Sequence, residues 1–274
     1  MKILTSALCA LTVLAFVGPA QGQFVTWHAE DFDAADGYTN SGNVLGNRPR
    51  DYGWTFGSGA AYAQGAYAFS GEGGLGNEGT MSRSRRVDDG MTHDGLQQVS
   101  FWVRTNATDG TRSARFYVGE LTLGTLVGTT TDLAPYAYAA FEGDGSGGYT
   151  LEYRHGAGGT TVQTGLALQG WRNGDSSPNF QQLVFDFDTV NDTWGLTVID
   201  DQDGQIFQVG GLGIIDNGGG TDMTRVNGLV WTNAVGGGSA SDVGIDELRF
   251  TEIPEPSTLV ATGLLGLALI RRRK

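Results

Sequence analysis

The sequence predicts an all-β fold, an antiparallel jelly-roll β-sandwich. Three observations carry this. Through the middle of the chain apolar residues alternate in short runs, the pattern of a half-buried pleated surface rather than of a helix. Clusters of Gly, Asp and Asn separate those runs, and these residues supply the dihedrals that tight turns need. Gly makes up 45 of 274 residues without a Gly-X-Y period, which excludes collagen, while aromatics at 10% argue against disorder.

Taken in order, strands are expected at 24–27, 53–56, 66–69, 81–87, 97–104, 114–121, 137–141 and 149–154. Further strands are expected at 161–168, 180–187, 193–199, 205–209, 226–232 and 243–250. Gly156–Gly159, the segment 188–192 and the segment 201–204 read as the turns of a meander, with Gly or Asn supplying positive φ. The Gly-rich stretches 71–79 and 218–220 lack the Lys-Ser/Thr and the following helix of a phosphate loop, and read as surface loops. No linker interrupts 23–252, so one sandwich domain is expected there, flanked by 1–22 and 253–274.

The first segment has a cation at Lys2, an apolar run over 3–17 and small residues at Ala20 and Gly22. That is the layout of a secretory signal peptide, cut by signal peptidase after Ala20 or Gly22. The single cysteine, Cys9, lies within it. Its removal leaves no thiol, which excludes disulfides, thiol catalysis and thiolate metal sites.

The last segment reads Pro254-Glu255-Pro256-Ser257, then an apolar run over 259–270, then Arg271-Arg272-Arg273-Lys274. Twelve apolar residues make about 18 Å of helix, short of a hydrocarbon core of roughly 30 Å. A transient anchor is expected, its basic stop on the cytoplasmic side. Motif, short apolar helix and basic end resemble the PEP-CTERM sorting signal. The resemblance implies cleavage near the Pro-Glu-Pro motif by an exosortase, and delivery to the cell surface, outer envelope or extracellular matrix of a Gram-negative-type bacterium.

Trp27-His-Ala-Glu-Asp-Phe32, Val99-Ser-Phe-Trp-Val103, Leu183-Val-Phe-Asp-Phe187 with Thr193-Trp-Gly-Leu-Thr-Val198, and Val243-Gly-Ile-Asp-Glu-Leu-Arg-Phe250 resemble the concanavalin-like or laminin-G-like jelly roll. That resemblance implies a closing strand paired near the first.

Charge narrows the partners. The chain carries a net charge of −13. Losing both ends removes Lys2, Arg271, Arg272, Arg273 and Lys274 against one acid, Glu255, so the remainder is more acidic still and holds no Lys. Such a surface repels phosphate backbones, and nucleic acid is not an expected partner.

An enzyme is not expected. His28, His93 and His155 lack metal spacing, no Gly-x-Ser-x-Gly occurs, and the Glu-x-Asp-x-x-Glu strand motif of jelly-roll glycosidases is missing. Glu247 reads as a carboxylate at a sheet edge. The one cofactor considered is Ca²⁺, for which Asp200, Asp201 and Asp203 supply hard oxygen ligands on one turn. Asp186, Asp188, Asn191 and Asp192 crowd the preceding turn, and Asp242 with Asp246 form a weaker set. Trp171, between Gly170 and Arg172, is the candidate for stacking on a sugar, with Tyr136 and Tyr138 beside it, whereas Trp102 and Trp231 read as core. These observations point to an exported structural or adhesive surface protein. A carbohydrate-binding module is the alternative, and a glycan-active hydrolase of jelly-roll fold a third. Polysaccharide is the expected ligand class.

Overall fold

The computed structural model describes residues 25–32, 54–56, 61–64, 74–78, 81–87, 95–105, 112–121, 133–143, 148–169, 180–216, 220, 222–235 and 242–253. Among them every regular element is a strand: β1 (Val25–Glu30), β2 (Trp54–Phe56), β3 (Ala61–Gln64), β4 (Gly74–Glu78), β5 (Met81–Arg86), β6 (Leu96–Thr105), β7 (Arg112–Leu121), β8 (Leu133–Gly143), β9 (Gly148–His155), β10 (Thr160–Gln169), β11 (Gln181–Asp188), β12 (Thr193–Asp200), β13 (Gly204–Gly213), β14 (Gly228–Val235) and β15 (Asp242–Glu252). The compact unit they form spans Thr26–Glu252.

They pair into two antiparallel sheets. One runs β13-β12-β11-β6-β15-β4-β3, with β1 also on β15; the other runs β10-β9-β8-β7-β14-β5-β2. Hairpin meanders build β7 to β10 and β11 to β13. The chain changes sheet between β1 and β2, β2 and β3, β4 and β5, β5 and β6, β6 and β7, β10 and β11, β13 and β14, and β14 and β15, which nests the sheets as a jelly roll. The closing strand β15 meets the first, β1.

Alternation decides which face is buried. Along β11, Leu183, Phe185 and Phe187 point inward while Val184, Asp186 and Asp188 do not. Phe116 stands at the centre of the core, with ring centroids 5.2 Å from Phe101, 6.0 Å from Phe141 and 6.5 Å from Trp231. Such aromatic contacts add about 0.5–1.5 kcal/mol each beyond burial. Phe185 continues the stack from Phe101 to Trp194.

Turn residues act where backbone geometry demands them. Gly156 and Gly159 have φ of 72° and 64° in the β9–β10 turn. In the β11–β12 turn the positive φ falls on Asp192, at 50°, not on its neighbour Asn191. The Asp188 carboxylate caps that turn, accepting from the backbone N–H of Val190 and Asn191 at 3.1 and 3.0 Å.

Three expectations need correction. The stretch 71–79 is not wholly loop: β4 lies inside it and pairs with β15 and β3. Its glycines hid it, because Gly gives no alternation to read. Glu247 is not on an edge strand, since β15 lies between β6 and β4. It sits instead at a break in register between Asp246 and Arg249, with φ of 50° and its N–H donating to Asp246 Oδ1 at 2.8 Å. Trp231 is core, but Trp102 is buried on the face opposite Phe101 and Val103, outside the main core cluster. The strand expected at 66–69 lies outside the described residues.

Candidate functional site

The outer face of the seven-stranded sheet carries a second cluster of side chains. On β7, Ala114, Phe116 and Val118 fill the core, so Arg115 and Tyr117 face out. By the same alternation β8 sends out Tyr136, Tyr138, Ala140 and Glu142, and β9 sends out Thr150, Glu152 and Arg154. Tyr117 lies edge-on to Tyr138 at 4.9 Å and to Tyr136 at 5.6 Å. Tyr117, Tyr138, Ala140 and Val230 are buried with Ile215, which is delivered by a backbone bridge. Ile215 N–H donates to Tyr136 O at 3.0 Å, and Tyr136 N–H to Ile215 O at 3.1 Å.

Two ion pairs ring these tyrosines. Arg115 Nε meets Glu142 Oε1 at 3.1 Å. Arg154 holds Glu152 Oε1 through two nitrogens at 3.2 and 3.3 Å, while Gln163 Nε2 donates to Oε2 of the same carboxylate. The Arg154 guanidinium also lies over the Tyr138 ring, 4.3 Å from its centroid. Opposite Glu152 in the ladder is Ala140, and opposite Glu142 is Thr150. The carboxylates are therefore diagonal neighbours on one face, about 7–8 Å apart at the backbone.

Titration behaviour is perturbed across this face. Burial pushes the Tyr138 hydroxyl far above the ordinary phenol range, and Tyr117 and Tyr136 upward for the same reason. Burial raises Glu142 against the opposing pull of Arg115. Arg115 itself is raised: burial, its largest single influence, lowers it, but Glu142 and the tyrosines together outweigh that. The Tyr138 hydroxyl is buried and makes no hydrogen bond. Groups perturbed by burial and specific charge partners gather at functional sites. Chemically, the face offers guanidinium donors beside carboxylate acceptors above a packed tyrosine cluster.

A concavity of about 360 Å³ lies on the eight-stranded sheet, lined by Leu96, Asp186, Asp188, Thr193, Gly195 and Gln208 among others. Asp186 accepts from Gln98 Nε2 at 2.8 Å, and burial raises its carboxyl despite that bond.

The Asp200, Asp201 and Asp203 set lies on the β12–β13 turn. Asp200 Oδ1 accepts from the N–H of Gln202 and Asp203 at 2.9 and 3.3 Å, and Oδ2 from Gln181 Nε2 at 3.0 Å. Asp201 Oδ1 is buried without a hydrogen bond. Among the described residues no three His, Cys, Asp or Glu side chains are grouped as metal ligands. Asp188 and Asp192 each serve backbone N–H groups, Asp192 accepting from Met223 at 3.0 Å. Tyr138 is fully buried, not exposed as a stacking platform, because Arg154 and Ile215 pack around it; Tyr136 is half-buried. Trp171, Ala20, Gly22, the motif Pro254 to Ser257 and the basic end Arg271 to Lys274 lie outside the described residues.

Sequence reasoning missed Arg115, Glu142, Glu152 and Arg154. Their signal was present as charged residues at alternate positions of strands otherwise apolar, but their pairing across strands depends on register.

No protein-family model matches the chain, and no curated protein does. Among solved structures it is similar to the carbohydrate recognition domain of Emp47p, at 16% identity and a TM-score of 0.47, covering 86% of this chain and 99% of that one. It is also similar to lectin UEA-II complexed with galactose, at 10% identity and a TM-score of 0.47, covering 83% and 100%. A third similar structure is a Shewanella oneidensis MR-1 protein of unknown function, at 11% identity and a TM-score of 0.43, covering 89% and 93%.

Proposed function

We propose that this chain is an exported surface protein whose jelly roll binds glycans on the outer face of the seven-stranded sheet. The observation that carries the reading is one arrangement. Two Arg–Glu pairs, Arg115 with Glu142 and Arg154 with Glu152, stand around a packed tyrosine cluster, with Arg115, Glu142 and Arg154 partly exposed and Glu152 buried. A sugar hydroxyl both donates and accepts, so neighbouring fixed donors and acceptors suit it. Hydrolysis is not part of the reading, because both carboxylates are committed to arginines.

Export rests on the two ends. Lys2 with its apolar run supports passage across the inner membrane, and Pro254 to Ser257 with the basic end supports exosortase processing. A structural or adhesive role in the envelope or exopolysaccharide follows from export and glycan binding together. Ca²⁺ held at Asp200, Asp201 and Asp203 remains a separate proposal, checked by whether Ca²⁺ raises the melting temperature.

Affinity electrophoresis through gels containing single polysaccharides tests the binding. At least one polysaccharide is expected to retard the wild-type chain, with retardation lost in Tyr136→Ala and Arg154→Ala. Unchanged mobility in every polysaccharide tried would contradict the reading. Intact mass of the native protein tests the processing, which fails where residues 254–274 are still attached.

A further inference from the structure

The outer face of the eight-stranded sheet carries a notch left by missing side chains. With Val99, Phe187 and Trp194 in the core, alternation sends Gln98 of β6, Asp186 and Asp188 of β11, and Thr193 and Gly195 of β12 to the outer face. Asp186 stands directly opposite Gly195 in the ladder. On the other side of Gly195 the register with β13 breaks: Trp194 faces Leu212, and Leu196 faces Val209. Gly210 and Gly211 therefore oppose one residue, as in a β-bulge, and Gly211 takes φ of 67°. A Cβ at Gly195 would stand 3.0 Å from the Val209 carbonyl oxygen, so the bulge holds that position to glycine. Backbone at these three glycines lines the concavity of about 360 Å³, with Leu96, Asp186, Thr193 and Gln208 among its side-chain walls.

Two carboxylates line this notch, and only one has an oxygen to offer. Asp188 commits both of its oxygens to its own turn, Oδ1 to the N–H of Val190 and Asn191, and Oδ2 to Asn191 Nδ2 at 2.7 Å. Asp186 accepts from Gln98 Nε2 through Oδ1. Among the described residues its Oδ2 has no hydrogen-bond donor and no cation beside it. Other partly buried carboxylates of this chain face arginines: Glu142 faces Arg115, Glu152 faces Arg154 and Glu120 faces Arg225. Taking a carboxylate partly out of water without a cation is costly, and burial raises the Asp186 carboxyl with no opposing charge. Across the notch, Gln208 Oε1 accepts from Gln205 Nε2 at 3.2 Å, which leaves the Gln208 Nε2 as a donor.

We propose that this notch binds an amino sugar, one monosaccharide unit bearing a primary ammonium, with Asp186 Oδ2 holding the ammonium and Gln208 and Thr193 meeting the ring hydroxyls. An ammonium supplies the missing cation through a charge-assisted hydrogen bond. A calcium ion would need about six to eight oxygen ligands, and the notch offers one carboxylate oxygen. A lysine side chain would satisfy Asp186 but leave Gln208 and Thr193 without partners. The volume falls within the range of small-molecule sites, about 300–1,000 Å³. Glycine backbone lets a sugar ring approach closely, and Leu96, 46% exposed, offers an apolar contact to its C–H groups. The notch lies on the sheet opposite the tyrosine face, so the two sites are independent of each other.

The test follows the amide NMR signals of Gly195, Gly210 and Gly211 in the full processed chain as glucosamine, N-acetylglucosamine or lysine amide is added. Glucosamine is expected to shift these signals saturably. N-acetylglucosamine, the same ring without the charge, and lysine amide, the charge without the ring, should each bind about tenfold more weakly or worse. Asp186→Asn keeps the acceptor for Gln98 and should lose about tenfold or more in affinity for glucosamine. Gly210→Val, where a Cβ meets nothing within 4 Å, should fold and block the notch. Tyr136→Ala, on the other sheet, should bind glucosamine as the wild type does. Absence of a saturable shift with glucosamine overturns the proposal, as does unchanged affinity in Asp186→Asn. N-acetylglucosamine binding as tightly as glucosamine would show that the charge is not recognised, and lysine amide doing so would assign the notch to a basic peptide; either result overturns it too.

Discussion

The Arg154 guanidinium rests 4.3 Å from the centroid of the Tyr138 ring while the same side chain holds the Glu152 carboxylate. One cation thus covers a buried aromatic and neutralises a carboxylate that is only 5% exposed. Arg154→Ala removes both contacts and leaves Glu152 with Gln163 alone. A loss of about 1–2 kcal/mol in urea unfolding is expected. Arg154→Lys keeps the charge but not the planar stack, and should lose less.

The tyrosines of this face should resist ionisation. With their folded-state affinity for the proton raised, Tyr117, Tyr136 and Tyr138 bind protons more tightly in the folded than in the unfolded chain. Stability from these groups is therefore present below the ordinary phenol value of about 10 and falls as pH rises above it. Ultraviolet titration should show exposed tyrosines ionising first and these three only with alkaline unfolding.

Asp186 gives the same sign at acid pH. Its carboxyl is raised by burial, so the folded state holds the proton more tightly, and stability falls as pH rises through the range just above the ordinary carboxylate value of about 4. Asp186→Asn keeps an acceptor for Gln98 Nε2 and removes the charge. Its melting temperature is expected to be at or above wild type at pH 7, with the dependence on pH in that range flattened.

Gly119 should not tolerate a side chain. A Cβ there would stand 2.7 Å from Tyr136 Cα and collide with the Pro135 carbonyl oxygen, where β7 meets β8. Gly119→Ala is expected to cost about 1–3 kcal/mol through overpacking and to displace Tyr136. Thermal melts and the near-ultraviolet circular dichroism of the tyrosines would record both.

How much of this was legible depends on what alternation can report. The β11–β12 hairpin was plain, because Leu183, Phe185, Phe187, Trp194, Leu196 and Val198 mark one face. β4 was invisible, since Gly74 and Gly76 leave Leu75 as its only apolar residue. The ion pairs of the candidate site lay beyond sequence reasoning for another reason. Arg115 and Glu142 are 27 residues apart, and only the β7–β8 register brings them onto one diagonal. Tyr136 and Tyr138 read as ligand candidates from sequence, but the packing that buries Tyr138 comes from Ile215, far along the chain.

The central claim, that glycans bind the outer face of the seven-stranded sheet, is tested most directly by hydrogen exchange with and without a retarding polysaccharide. Protection is expected in β8 and β9, over the stretches holding Tyr136, Glu142, Glu152 and Arg154, and should vanish in Tyr136→Ala. Protection confined to Leu96, Asp186, Asp188 and the adjoining end of β13, with β8 and β9 unchanged, would place the ligand on the other sheet and contradict the account.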